Sequence, residues 1–208
     1  MRRGLPTGEN SSVVHGCCPE EKGLREILRP QRRDDWTRES AAEIRNAEHF
    51  ILVRQWKLYL QNPRLWGLRT LRAVGPKLDE WLARRWGSMG YHLSQMLTGH
   101  GSFNHYLHRI GKRLDESCWH CDAELDTVEH TIQECPAWEE SRALLRTRLR
   151  TPGEALSLEY LVGAILESEE CWSAFLQFAR DVVGEKEEEE RRRERMADPP
   201  ALQEKDDS

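Results

Sequence analysis

Residues 118–135 read CWHCDAELDTVEHTIQEC, and their spacing constrains the fold more than any other feature of the chain. Two cysteines three positions apart can reach one ion from a tight turn, and a histidine and a third cysteine can approach from a second arm. Zinc binds four nitrogen and sulfur ligands tetrahedrally, and four protein ligands leave no position for water. The spacing therefore predicts a closed, structural zinc site formed by Cys118, Cys121, His130 and Cys135,.

Four other residues are weaker candidates for metal ligands. Cys17 and Cys18 are adjacent in a segment without periodicity, and Cys171 falls on a predicted helix. His120 is the competing ligand, but it lies between the first two cysteines, where ligation would strain the turn. We expect all four to lie outside the metal site.

The composition indicates a modest helical core with polar extensions, since 38% of the 208 residues are hydrophobic and 32% are charged,. No apolar run approaches the length of about 18 residues that spans a membrane. Two arginines near the N-terminus precede no apolar run, which argues against a secretory signal,. We therefore expect a nuclear or cytoplasmic location, where cysteines bind metals or remain free.

Hydrophobic periodicity predicts a mostly α protein whose short helices surround a small irregular zinc-binding loop. The charged run EKEEEERRRER after Gly184 offers i,i+4 ion pairs worth only about 0.2–0.5 kcal/mol each, which favours an exposed, fraying helix over core,. The expected segments are a disordered N-terminus (1–33), a helical segment (34–96), a glycine-rich segment with the zinc loop and a following helix (97–150), C-terminal helices (151–184), and a charged helix end and tail (185–208).

Charge is segregated along the chain. Residues 61–113 carry nine Lys and Arg against two Asp and Glu, whereas residues 114–208 carry 11 against 25. Such asymmetry suggests a segment that faces nucleic acid beside a solvating one, although an ordinary surface can also segregate its charges. The zinc loop is itself acidic, so phosphate contacts would come from the basic segment before it, at Arg84, Arg85, Arg109, Lys112 and Arg113,.

Aromatic residues flank the predicted ligands. Trp119 and Trp138 could stack on bases, as aromatic residues of zinc knuckles do, or could cover the metal loop,. Trp119 is therefore a candidate nucleic-acid contact. For both tryptophans, covering the metal loop remains the alternative to stacking on a base.

The sequence LTGHGSF precedes the cysteines. Gly99 and Gly101 around His100 predict a tight backbone turn between two helices,. The histidines at 100, 105 and 108 invite a catalytic or metal-binding interpretation. However, no Asp or Glu occurs between residues 80 and 115 to complete a hydrolytic site, so structural roles are favoured,.

Several separate motifs carry a resemblance to one family. LTGHG, YLHRI, the Cys-Cys-His-Cys cluster, CPAW after it and SAFLQFARDVV occur in that order. Their succession, from about residue 55 to 194, resembles the C-terminal region of the polyprotein of arthropod non-LTR (LINE-type) retrotransposons, particularly the type-1 elements. In that family the Leu-Thr-Gly-His-Gly and Tyr-Leu-x-Arg-Ile segments precede a Cys-Cys-His-Cys zinc knuckle.

The chain also departs from the family pattern. A complete family polyprotein carries an endonuclease and a reverse transcriptase ahead of this region. No Tyr-x-Asp-Asp polymerase signature occurs here, and Asp34-Asp35 lacks flanking apolar strands. Residues 1–33 match nothing in the family. The chain is therefore expected to be a detached C-terminal fragment without catalytic activity of its own.

Three hypotheses follow for the function. The first is a zinc-binding accessory domain that holds template RNA or target DNA near the polymerase domain of the parent polyprotein. The second is a zinc-stabilised protein-interaction domain that docks on the polymerase without touching nucleic acid. The third, a zinc hydrolase, needs an open metal position and a general base, which the sequence does not offer. No membrane and no small-molecule substrate is expected as a partner.

Overall fold

The computed structural model of the protein describes residues 37–65, 67–151, 153 and 155–197. The predicted disordered segment 1–33 and the last residues of the predicted tail, 198–208, lie outside the described residues. The chain divides into two compact units, residues 1–59 and 60–208, which are described separately.

Helix α1, Arg38–Leu60, makes up nearly all of the described part of the first unit. Its start is capped reciprocally, because Thr37 N–H donates to Ser40 Oγ (2.9 Å) and Ser40 N–H donates to Thr37 Oγ1 (3.1 Å),. The helix ends just before Asn62-Pro63, because proline disfavours helical backbone at the residue before it,. Several large apolar side chains of α1 are exposed, at Phe50, Leu52, Trp56, Leu58 and Tyr59.

Seven α-helices follow in the described part of the second unit, joined by short turns. Single turns of tighter helix precede α3 and α6, at Gly75–Lys77 and Pro136–Trp138, and a π-helical turn spans His130–Glu134. No strand occurs among residues 37–65 and 67–197 as far as they are described, so the prediction of a mostly α fold is confirmed. The helices are α2 Leu68–Val74, α3 Leu78–Ala83, α4 Tyr91–Thr98, α5 Asn104–Arg109, α6 Glu139–Leu149, α7 Leu158–Glu167 and α8 Glu169–Ala197.

The core of the second unit forms around α8, which packs against α4, α6 and α7. Its buried residues recur at spacings of three and four, which places them on one face of the helix. Leu93 and Met96 from α4 and Leu161 and Ile165 from α7 are fully buried in the same core. The α8 residues of this face are Trp172, Phe175, Ala179, Val182 and Val183.

Helix α8 continues through Gly184 and differs there from the sequence-based expectation. The charged run was predicted to be exposed and fraying, but Lys186 is only 3% exposed. A glycine inside a helix costs about 1 kcal/mol relative to alanine, and the buried faces on both sides of Gly184 offset that cost. None of the described helices is long and apolar enough to cross a membrane.

Candidate metal centre and the surface beside it

The side chains of Cys118, Cys121, His130 and Cys135 converge on one point in the loop between α5 and α6. Each offers one ligand atom, and the four atoms all lie within 4.8 Å of one another. The sulfurs of Cys118 and Cys135 are 3.9 Å apart, and the Cys121 sulfur is 3.2 Å from His130 Nε2. This is the only such cluster of His, Cys, Asp and Glu among the residues that the structure describes.

Two backbone turns bring the four residues together. A tight turn carries the first two cysteines and closes where Cys118 N–H donates to the Ala123 carbonyl at 2.9 Å. The π-helical turn carries the other two, and Cys135 N–H donates to the His130 carbonyl at 2.8 Å. A π-helical turn is rare and is frequent at functional sites. The two turns are the two arms that the spacing of the ligands predicts.

The arrangement fits a tetrahedral ion. Zinc–sulfur bonds of about 2.3 Å place two sulfurs of a tetrahedron roughly 3.8 Å apart, close to the observed separation of 3.9 Å,. That separation is too long for a disulfide, and all three cysteines are free,. Burial raises the pKa of the Cys118 thiol to about 12 and also raises that of Cys135, so these thiols need a cation to become thiolates,. The four residues could therefore bind a metal ion.

Arg142 of α6 is only 1% exposed, and its side chain supports the π-helical turn that carries His130 and Cys135. Its Nη2 donates to the carbonyl of Cys135 at 2.7 Å and to Glu139 Oε2 at 2.6 Å. Its Nη1 donates to the carbonyl of Thr131 at 3.3 Å. A guanidinium fixed in this way holds the π-helical turn in place.

A buried ion pair fixes the loop between the two arms. Lys186 of α8 donates to both carboxylate oxygens of Asp126, at 2.7 and 3.0 Å. Asp126 Oδ2 also accepts from Asn104 N–H at 3.0 Å, which caps the start of α5. Neither the burial of Arg142 nor the Asp126–Lys186 pair is predictable from the sequence, because single charged residues in charged surroundings give no signal of burial.

The weaker ligand candidates do not join the cluster. The ring of His120 packs against Trp138 with centroids 4.8 Å apart, and burial lowers its pKa. Cys171 lies on α8 and is not part of the group. Cys17 and Cys18 lie outside the described residues. Trp138 is only 4% exposed and its ring packs on that of His120, so it is not free to stack on a base.

Three of the six predicted nucleic-acid contacts are engaged within the protein. The Arg84 guanidinium lies over the rings of Trp81 and Trp172, at 4.3 and 4.8 Å from their centroids. Arg113 Nη2 lies 3.4 Å from a carboxylate oxygen of Glu190 and 3.3 Å from one of Glu194. The ring of Trp119 is contacted by the guanidinium groups of Arg113 (4.8 Å) and Arg193 (4.4 Å).

The other three, Arg85, Arg109 and Lys112, are exposed. No carboxylate of the described residues forms an ion pair with any of them. Arg109 lies with its guanidinium carbon 5.2 Å from the centroid of Tyr106, an arrangement that leaves its charge available to an anion,.

The histidines of the glycine-rich segment have partners that the sequence did not reveal. Glu116 bridges two of them: its carboxylate oxygens lie 2.8 Å from His105 Nδ1 and from His108 Nδ1 and accept a hydrogen bond from each of these nitrogens that carries a proton,. The carboxylate that contacts these two histidines thus comes from Glu116, which follows the glycine-rich segment in the sequence. His100 stacks on Tyr106, with centroids 4.6 Å apart and an interplanar angle of 26°. Hydrogen bonding to His105, then to His108, lowers the pKa of the Glu116 carboxyl.

Comparison with known proteins identifies two similar sequences of one kind. The chain is 41% identical over 59 residues to the "Retrovirus-related Pol polyprotein from type-1 retrotransposable element R1" of Bradysia coprophila, covering 28% of this chain and 6% of that protein. It is 32% identical over 150 residues to the corresponding R1 4 polyprotein of Nasonia vitripennis, covering 72% of this chain and 36% of that protein. The chain thus spans about a third or less of the curated relatives it matches. No family model matches the chain, and no solved structure is significantly similar to it.

Proposed function

We propose, on the premise that this chain is a homologue of arthropod R1 retrotransposon Pol polyproteins over part of its length, that it is a zinc-stabilised module that binds nucleic acid. In the parent polyprotein it would hold template RNA or target DNA near the polymerase domain. The module binds and performs no chemistry of its own, because four protein ligands leave the metal no open position.

Zinc is the metal that best suits the donor set. Three cysteine sulfurs and one histidine nitrogen within 4.8 Å match the ligands and the coordination number of structural zinc sites,. Zinc bound to this loop would have a structural role and would not catalyse a reaction. It would supply folding energy to a segment with few buried apolar side chains.

One observation carries the nucleic-acid assignment: Arg85, Arg109 and Lys112 are exposed in a basic segment and have no carboxylate partner in the described part of the chain. Most other cations near the metal loop are paired, as Arg113 is with Glu190 and Glu194. Unpaired surface cations attract phosphates and release counterions when they bind them, which makes the affinity salt-dependent.

The test is charge reversal of the unpaired cations, in the variant Arg85→Glu/Arg109→Glu/Lys112→Glu. A filter-binding titration against single-stranded RNA and DNA at several salt concentrations should show at least about a tenfold loss of affinity and a shallower salt dependence. The matched control is Arg45→Glu/Arg148→Glu/Arg180→Glu, which makes the same change in net charge at exposed arginines outside the basic segment.

The control variant should retain most of the affinity. If the two variants lose affinity equally, binding depends only on net charge and the assignment to this surface is wrong. If the unchanged protein binds neither RNA nor DNA, the proposed function is wrong.

A second candidate function is protein interaction without nucleic-acid contact. It is favoured by the exposed apolar side chains of α1, among them Trp56 (51% exposed) and Leu58 (63%). Leu52, Trp56 and Tyr59 are spaced to share one face of the helix, and an exposed apolar face typically marks a surface that binds another protein,. Leu52→Ser/Trp56→Ser, at two exposed positions one turn apart on α1, should then abolish binding to a separately expressed polymerase domain of an R1 polyprotein,. Under this function the unchanged protein should bind RNA negligibly.

A further inference from the structure

A groove of about 630 Å³ lies beside the metal loop. Its walls come from the glycine-rich turn, from α5, from the start of α2 and from residues 127–129, just before the π-helical turn. The lining residues that matter here are Arg69, His100, Tyr106, Arg109 and Glu129. The volume falls within the range of about 300–1,000 Å³ that holds small organic ligands.

Two stacked rings form the aromatic wall of the groove. His100 lies on Tyr106 at a centroid distance of 4.6 Å, and His100 is exposed. The backbone explains this placement, because Gly99 and Gly101 on either side of His100 have φ values of 70° and 115°. A Cβ at Gly101 would lie 1.7 Å from Gln95 Oε1, so only glycine permits the turn that presents the histidine ring,.

The charges of the groove are distributed unevenly. Arg69 is paired with Glu129 and donates to the carbonyls of Met96 (3.0 Å) and Leu97 (2.6 Å), so its charge is used within the protein. Arg109 has no carboxylate partner among the described residues, and it lies beside the Tyr106 ring. The groove thus offers an aromatic stack next to one available cation.

We infer that this groove holds one nucleotide of a single strand, with its base stacked on His100 and its phosphate bound by Arg109. The inference rests on the proposed function and deepens it, since it specifies unpaired rather than duplex nucleic acid. A base inside a duplex is already stacked on both faces and cannot enter, whereas a single strand can turn a base outward. Stacking tolerates any base, so the groove selects single strands rather than sequences.

The experiment compares the unchanged protein with His100→Ala and His100→Phe, using fluorescence anisotropy. The probes are a short poly(A) RNA, the same strand with abasic positions, and a duplex RNA. His100→Ala should lose about 5-fold to 100-fold in affinity for poly(A), the range expected for one lost base stack, and little for the abasic strand or the duplex. His100→Phe retains a stacking ring and should retain poly(A) affinity. His49→Ala, at an exposed histidine of α1, is the matched control.

Three outcomes are distinguishable. Loss restricted to poly(A) and restored by phenylalanine supports the nucleotide groove. Equal binding of poly(A) by the unchanged protein and by His100→Ala overturns the groove and leaves the nucleic-acid function intact. If the unchanged protein binds none of the three probes, the groove inference fails together with the proposed function.

Discussion

Lys186 Nζ lies 2.7 Å from Asp126 Oδ1, and the two side chains are only 2% and 3% exposed. The pair joins the charged end of α8 to the loop between the two arms of the metal site. Because Asp126 also accepts from the Asn104 N–H, the same carboxylate fixes the start of α5. One buried carboxylate thus fixes the positions of α5, α8 and the metal loop relative to one another.

Lys186→Met should be strongly destabilising. Removal of the lysine leaves the Asp126 carboxylate buried without its counter-charge, and a broken buried pair typically costs about 3–5 kcal/mol. We expect a loss of that size in the free energy of unfolding, measured by urea denaturation. Arg195→Ala, at an exposed pair of the same helix, is the control and should change it by less than about 0.5 kcal/mol,. A small effect of Lys186→Met would contradict the role assigned to the pair.

Metal stoichiometry should depend on Cys135 and not on Cys171. Native mass spectrometry of the unchanged protein should show one zinc ion per chain, because four ligands lie within reach of one ion,. Cys135→Ala removes a buried ligand and should abolish the bound zinc, whereas Cys171→Ala should retain it. Zinc loss in both variants, or in neither, would be inconsistent with the four-ligand site.

Arg142→Met should weaken metal binding without removing a ligand. The guanidinium holds the carbonyls of Cys135 and Thr131, and loss of such an outer contact typically lowers metal affinity by about 10-fold to 100-fold,. Competition with a chromophoric chelator measures the change. Arg148→Met, at an exposed position of the same helix, should leave the affinity unchanged. If both variants bind zinc equally well, Arg142 supports only the fold of α6.

Two glycine substitutions should have opposite effects on stability. Gly101→Ala places a Cβ at a φ of 115° and against Gln95, and such strain costs about 1–3 kcal/mol,. Gly184→Ala lies inside α8 with no atom within 4 Å of the new Cβ, so it should stabilise the protein by about 0.5–1 kcal/mol,. Thermal unfolding of the two variants side by side measures both changes. A stabilised Gly101→Ala would show that the turn does not need glycine.

The cluster of Cys118, Cys121, His130 and Cys135 was predictable because its members are close together in the sequence. Four residues within 18 positions need only two turns to meet, so their spacing already specifies the geometry. The helices of the second unit were likewise predictable, since their apolar residues recur with the helical period and glycine or proline ends several of them.

The contacts of the charged segments were not predictable, because they join residues far apart in sequence. Arg113 belongs to the basic segment, but Glu190 and Glu194 on α8 neutralise it. From the composition of its segment, Arg113 would be taken as an unpaired cation. Only the three-dimensional structure shows that it is paired. For the same reason the burial of Lys186 could not be predicted. Its neighbours in the sequence are charged, but its ion-pair partner is the buried carboxylate of Asp126, far away in the sequence.

The docking of α8 on the metal loop has a consequence for the far end of the helix. Residues beyond Gly184 bury little apolar surface, so their stability depends on the contacts that Lys186, Glu190 and Arg193 make with the loop of the candidate metal site and with the segment just before it. If the loop binds a metal ion, thermodynamic linkage makes this dependence mutual: metal release raises the equilibrium constant for opening of the last turns, and opening of those turns lowers metal affinity by the same factor. Amide hydrogen exchange in residues 186–194 would therefore report the occupancy of a site formed more than 50 residues earlier in the chain.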